Sequence, residues 1–169
     1  MPSRLRTLLL LAAMFVVAAP RVHLSAEGQK MDALIGSWVL NVAKSKMNPP
    51  PKSQVRTFDY TKDGMVMCTL SGESGNGNWS FFHWYTNLDG VQHPEFNRQN
   101  GATSTTTIAL KKIDDHSVEI KGVTIASGKT HLTGTAVISP DGKTMTWTTK
   151  NINLSTGAEN DQVRIYEKR

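Results

Sequence analysis

Short turn signals recur at near-regular intervals after residue 30, and they constrain the fold more than any other feature of the sequence. They read TKDG, SGESGNG, NLDG, IDDHS, ASGK, SPDG and LSTG. Between them lie runs rich in Val, Ile, Thr and aromatic residues, none long and periodic enough to predict a helix. This cadence predicts an all-β protein, an antiparallel up-and-down meander of about 8–10 strands that closes into a barrel.

An N-terminal export signal is predicted over residues 1–26. Arg4 and Arg6 form a short basic start. The following TLLLLAAMFVVAA supplies about a dozen apolar residues, the length of a signal-peptide core, whereas a membrane span needs about 20. Cleavage after Ala26 would leave residues 27–169 as a single domain, periplasmic or extracellular, with no stable membrane anchor. The alternative is that the segment is retained as an uncleaved anchor.

The charge pattern argues against nucleic acid as a partner. The sequence has 19 Lys and Arg residues against 14 Asp and Glu residues. Arg4, Arg6 and Arg21 belong to the predicted signal, so the mature chain is close to neutral. Its basic residues are scattered among acidic ones, whereas a nucleic-acid binder concentrates them on one face.

No local motif indicates a metal, a cofactor or a nucleophile. Cys68 is the only cysteine and lies in the strand-like run MVMCTL, so we interpret it as a small buried hydrophobe. A reactive or intermolecularly paired thiol is the alternative. His83, His93 and His131 lack the close spacing of a local metal pair, although separate strands can bring distant histidines together. We therefore predict no metal, no cofactor and no catalytic residue.

The run WSFFHWYT is the most aromatic in the sequence and carries large rings on both faces of a predicted strand. Phe81, His83 and Tyr85 fall on one face and Phe82 and Trp84 on the other. One face can line the barrel interior, and the other then needs cover from a loop, a terminus or a partner. We assign the interior to Phe81, His83 and Tyr85, which combine rings with polar tips. The alternative is that these rings only fill the core.

Later strands are predicted to have one apolar and one wet face. In KTMTWTTK, Met145 and Trp147 share the core face. In SVEIKGVTIA, Gly122 interrupts the alternation and predicts a β-bulge that helps the meander close.

The last predicted strand, QVRIYEK, also alternates. Val163 and Ile165 are assigned to the core face, and Arg164 and Tyr166 to the wet face. His93-Pro94-Glu95 and the following FNRQNGATS are predicted to form a polar loop, with an acid–base couple at the barrel mouth as the alternative.

Several motifs together resemble a family. GSWVLNVAKSK with PPPKS soon after, then HWYTNLDG, SPDGKTMTWT and the terminal VRIYEKR, resemble small secreted bacterial lipocalin-like proteins of largely unassigned function. The Gly36-Ser37-Trp38 triplet is also similar to the Gly-x-Trp motif of lipocalins and fatty-acid-binding proteins. The resemblance implies a calycin-type barrel in which Trp38 plugs the closed end beside a basic residue of a late strand, for which Arg164 is the candidate.

These observations predict a secreted, lipocalin-like protein that binds a small hydrophobic or amphipathic ligand inside the barrel. The predicted ligand-binding residues combine aromatic bulk with polar tips: Trp38, Phe81, His83, Tyr85, His131 and Trp147. One alternative is isomerase or cyclase chemistry on an apolar substrate by a His/Tyr acid–base pair. The other is a structural barrel with a filled core that binds no ligand.

Overall fold

Ten antiparallel strands form a closed barrel. The computed structural model describes residues 29–97 and 103–169, so the predicted export signal lies outside the described residues. The strands are β1 (Gly36–Leu40), β2 (Ser53–Tyr60), β3 (Val66–Glu73), β4 (Trp79–Thr86), β5 (His93–Asn97), β6 (Thr103–Lys112), β7 (Ser117–Thr124), β8 (Thr130–Ile138), β9 (Thr144–Ile152) and β10 (Glu159–Lys168). Each strand pairs with the next, and β1 also pairs with β10. The predicted all-β meander and its closure are confirmed.

The described hairpin turns that carry a sequence signal lie where those signals place them. Gly64 and Gly142 have φ of 80° and 70°, in the left-handed region that a side chain disfavours. Residues 42–44 form a single 3₁₀ turn after β1. No helix in the described residues is long and apolar enough to cross a membrane.

Large side chains from alternate positions of the strands fill the barrel. Trp38, Phe58, Trp84, Trp147 and Tyr166 are each at most 2% exposed. The core face predicted for β9 is confirmed, because Met145 and Trp147 both point inward. The core face predicted for β10 is wrong: Tyr166 is fully buried, whereas Ile165 is only half-buried.

One barrel end is closed by the segment before β1. Met31 and Leu34 are buried there with Leu88 and Trp38, and the Trp38 indole Nε1 donates a hydrogen bond to the Leu34 carbonyl at 2.8 Å. The basic residue beside Trp38 is Lys168, whose Nζ lies 5.0 Å from the ring centroid. The expected partner Arg164 is therefore wrong, because antiparallel register places Lys168, four residues later on β10, opposite Trp38.

Two irregularities shape the wall. The β7–β8 register shifts between Gly122 and Val123, which confirms the predicted bulge and leaves His131 as the extra residue on β8. The second irregularity lies in β5, where the register shifts between Pro94 and Phe96. The predicted polar loop at His93-Pro94-Glu95 is wrong, since these residues form the start of a paired strand.

Candidate ligand site

A cavity of about 100 Å³ lies among inward-pointing side chains of the barrel. Aromatic and aliphatic side chains form much of its wall, and three charged residues also line it. The lining residues are Arg56, Leu70, Phe82, Trp84, Glu95, Ile108, Leu132, Trp147 and Arg164. The site therefore combines an apolar surface with a few converging polar groups, as small-molecule sites do.

Arg56 projects from β2 into the interior and is only 6% exposed. Its guanidinium carbon lies 4.0 Å from the centroid of the Trp147 ring and 5.7 Å from that of Trp84. Its Nε donates a hydrogen bond of 2.9 Å to the Tyr166 hydroxyl, which in turn donates to Gln54 Oε1. Its Nη1 is buried without a hydrogen-bond partner among the described residues. One edge of this guanidinium is thus held in place while another has donor capacity to spare.

Arg164 supplies a second guanidinium from β10. Its Nη1 donates to Thr149 Oγ1 at 3.0 Å and its Nη2 donates to Gln162 Oε1, while its Nε is buried without a partner in the described part of the chain. Burial and the neighbouring charge of Arg56 lower the pKa of Arg164 to about 10. Both causes disfavour the charged form, and both arginines line the same cavity.

Glu95 is the one carboxylate among the described lining residues. It lies at the β5 irregularity, and its Oε2 accepts a hydrogen bond of 2.6 Å from the Thr106 hydroxyl. Within the described ranges, no Lys or Arg nitrogen lies within 4 Å of this carboxylate. Neither guanidinium therefore forms a direct ion pair with a described residue.

Cys68 lies in the core beside Arg56 as a buried free thiol. Burial raises its pKa to about 12, although the nearby Arg56 opposes the shift. At neutral pH it is uncharged and adds no negative charge beside the guanidinium. Its interpretation as a small buried side chain agrees with this position.

The structure separates the six predicted ligand-binding residues. Trp147 lines the cavity, whereas Trp38 is buried at the closed end. His131 lies at the β7–β8 bulge and its ring covers Gly122. A Cβ added at Gly122 would lie 2.8 Å from the His131 Nε2. Its neighbour Leu132, not His131, is among the lining residues. Contact of Trp147, Trp38 and His131 with a ligand stays a prediction.

Phe81, His83 and Tyr85 lie on the outer face of β4, so their assignment to the interior is wrong. They line a groove of about 340 Å³ together with Met67 and Thr69 of β3. The His83 ring stacks on Phe96 with a centroid distance of 5.1 Å and meets the Tyr85 ring edge-on at 6.0 Å. These contacts give the outer aromatic face the cover that one side of the strand was expected to need.

Neighbouring strands decide which face of β4 is inside. Trp84 pairs with Cys68, and Phe82 pairs with Leu70, so the apolar face of β3 continues across the hairpin. The opposite face of β3 carries more polar residues, including Thr69 and Ser71. Because paired residues share a face, the alternation of β3 together with the hairpin register was the signal that could have oriented β4.

Arg56 and Glu95 were not identified from the sequence, and Arg164 was assigned another role. Arg56 is two residues from the buried Phe58, and Arg164 is two residues from the buried Tyr166. Residues two apart in a strand point to the same face, so a basic residue two positions from a core aromatic residue could have been predicted to point inward. Glu95 had no such signal, since a bulge determines its orientation.

Comparison with known proteins gives a structural similarity and no family. No protein-family model and no curated protein matches the sequence. A solved structure of EF1p2_mFAP2b bound to DFHBI is similar to this chain, with a TM-score of 0.49 and 7% sequence identity over 85% of this chain and 100% of that one. The ligand site is accordingly inferred from the side chains of this barrel alone.

In residues 29–97 and 103–169, no group of three His, Cys, Asp or Glu side chains lies close enough together to hold a metal ion. The His83 and Tyr85 pair considered for acid–base chemistry lies outside the cavity, on the outer groove. The described cavity offers binding groups, namely two guanidiniums, one carboxylate and apolar rings.

Proposed function

We propose that this protein binds a small amphipathic molecule inside the barrel and holds its anionic end with Arg56 and Arg164. The observation that carries the proposal is Arg56, a residue only 6% exposed whose Nη1 has no hydrogen-bond partner among the described residues and which lines the cavity together with a second arginine. A buried charge without a counter-ion is costly, and an anion in the cavity would offset that cost. Guanidinium groups are well suited to a carboxylate, because their donors match its oxygens.

The cavity volume limits the ligand to a short molecule. At about 100 Å³ the cavity is smaller than the few hundred Å³ that larger ligands need. An engineered apolar cavity of about 150 Å³ holds benzene, which sets the scale. The apolar wall from Leu70, Phe82 and Ile108 favours a short hydrocarbon chain or a small ring next to the anionic group.

Export to the periplasm or the extracellular space remains part of this proposal. It rests on the pattern of residues 1–26, with a basic start, an apolar core and the small residues that precede Glu27. Such a protein would meet small organic acids outside the cytoplasm. Its cleavage site can be read from the N-terminal sequence of the protein purified from its host.

Titration with a carboxylate and its neutral analogue tests the proposed function. Trp147 and Trp84 lie close to Arg56, so their fluorescence reports an occupied cavity. At constant ionic strength we expect butyrate to bind at least about tenfold more tightly than 1-butanol, since hydrogen bonds to charged groups contribute about 1.5–3 kcal/mol. Native mass spectrometry of protein from its own host would identify a retained acid.

Arg56→Met and Arg164→Met are the informative variants. Each should weaken butyrate binding by about tenfold or more while leaving the weak binding of 1-butanol unchanged. Lys62→Met, which removes the same charge from an exposed turn, serves as the matched control. Equal affinity for acid and alcohol, or normal butyrate binding by Arg56→Met with an intact fold, would rule out the anion site.

A further inference from the structure

The cavity presents an odd number of charges. Arg56 and Arg164 contribute two positive charges and Glu95 one negative charge, so the described lining has a net charge of one positive. The nearby Cys68 thiol adds no negative charge at neutral pH, because its pKa is raised to about 12. The remaining described lining residues are apolar.

Glu95 is held by a hydroxyl, not by a basic side chain. Its Oε2 accepts the hydrogen bond from Thr106, and no Lys or Arg nitrogen of the described residues lies within 4 Å of the carboxylate. The Glu95 charge nevertheless acts on Arg56 across the interior. It therefore reduces the positive field of the cavity without occupying the donors of either guanidinium.

We infer that Glu95 makes the cavity selective for a singly charged acid, such as a carboxylate, against a doubly charged one, such as a phosphate monoester. This inference rests on the proposed function and assigns the charge of its ligand. A monoanion brings the cavity to neutrality. A dianion leaves one uncompensated negative charge in a desolvated interior and stands close to Glu95, which carries the same sign.

Butyrate and methyl phosphate, two probes of similar size, test the inference. At about pH 8 methyl phosphate is a dianion, because the second pKa of a phosphate ester is about 6. We expect the wild-type protein to bind butyrate at least about tenfold more tightly than methyl phosphate, since unfavourable like-charge contacts reduce affinity strongly. Fluorescence titration at constant ionic strength gives both dissociation constants.

Glu95→Gln removes the charge and retains the shape and an oxygen that can accept the Thr106 hydrogen bond. We expect this variant to bind methyl phosphate about tenfold or more tightly than the wild type does, with a smaller gain for butyrate, so that the preference collapses. Glu95→Ala makes the same change in charge with a different shape and should shift the preference in the same direction. Glu119→Gln, an exposed position on β7, is the matched control and should leave the preference unchanged.

The outcomes separate the inference from the proposed function. If butyrate binds and Arg56→Met abolishes its binding, but both Glu95 variants keep the wild-type preference, the assignment of Glu95 is wrong and the anion site stands. If neither probe binds to the wild type or to a Glu95 variant with an intact fold, both proposals fall. Circular dichroism of each variant establishes that the barrel is folded.

Discussion

At the scale of single residues, Arg56 and Arg164 give this barrel an interior unlike a purely hydrophobic core. Arg56 stacks against Trp147 at 4.0 Å and is fixed at Nε by the Tyr166 hydroxyl. Stacking on an aromatic face and a hydrogen bond offset part of the desolvation cost of a guanidinium. They also fix its orientation, while its Nη1 is buried without a hydrogen-bond partner among the described residues.

Binding of an anion should depend on the ionisation of Arg164. Its pKa is lowered to about 10, so it is charged at neutral pH and loses its charge as the pH rises through about 10. Burial lowers the pKa of Arg56, but Tyr166 and Cys68 raise it above its usual value overall, so Arg56 stays charged over this range. We expect the affinity for butyrate to be constant up to about pH 9 and to fall above it.

The same shift predicts the sign of the Arg164 contribution to stability. Because the folded-state pKa is lowered, the charged group opposes folding below about pH 10, and this penalty is relieved as the pH rises further.

Butyrate titrations of the wild type and of Arg164→Met at several pH values isolate the effect of Arg164 on binding, because the lysines ionise in both proteins. If Arg164→Met lost as much butyrate affinity above pH 9 as the wild type does, deprotonation of Arg164 would not be the cause of the loss.

At the scale of the elements, Gly134 of β8 lies so close to β9 that a side chain has no room there. A Cβ at this position would lie 2.0 Å from the Thr148 carbonyl oxygen and 2.9 Å from the Thr149 Cα. These are backbone atoms of the paired strand, so they cannot rotate away as a side chain would. Gly134 therefore permits a close approach in the barrel wall, the use of glycine in strands that sequence patterns alone do not reveal.

Gly134→Ala should destabilise the barrel by about 3 kcal/mol, at the upper end of overpacking costs, because two paired strands must move apart. Urea denaturation followed by tryptophan fluorescence measures the change in the free energy of unfolding. Thr135→Ala, at an exposed position of the same strand, should change it by less than about 0.5 kcal/mol. Equal stability of the two variants would show that the wall adjusts freely at Gly134.

Element existence was predictable here, and the orientation of some elements was not. The Asp63-Gly64 turn and the alternation of Met145 and Trp147 predicted their strands and the β9 core face correctly, because local turn chemistry and period-two burial are encoded within each segment. In β4 both faces carry rings, so alternation was uninformative and only pairing with Cys68 and Leu70 oriented the strand. In β10 Arg164 points inward although it is charged, against the usual polarity rule, and donates hydrogen bonds to Thr149 and Gln162.

At the scale of the whole molecule, closure depends on β1, whose partners lie at opposite ends of the described chain. β1 pairs with β2 on one side and with β10 on the other. Trp38 lies at this junction, with its indole bonded to the Leu34 carbonyl and Lys168 above its ring. It joins the segment before β1, the first strand and the last strand.

Trp38→Phe should lower the free energy of unfolding by about 2 kcal/mol, since it leaves a buried carbonyl without its donor and opens space in the plug. Trp79→Phe is the matched control, because Trp79 is 58% exposed and its loss should change stability by less than about 0.5 kcal/mol. Thermal and urea unfolding of the two variants compare a closing tryptophan with a surface one. A loss no larger than that of the control would show that Trp38 does not hold the barrel closed.

Local sequence patterns were enough to predict a meander of about 8–10 antiparallel strands and the place of most turns. These properties depend on residues close together in the chain, through turn chemistry at positions such as Gly64 and Gly142 and through period-two alternation. The faces of β4 and β10 that meet the interior followed only from the tertiary structure. Register across neighbouring strands and two bulges set those faces, and they brought Arg56, Glu95 and Arg164 to one cavity. The near-regular turns thus predicted the barrel, while pairing between strands decided which charged side chains point into it.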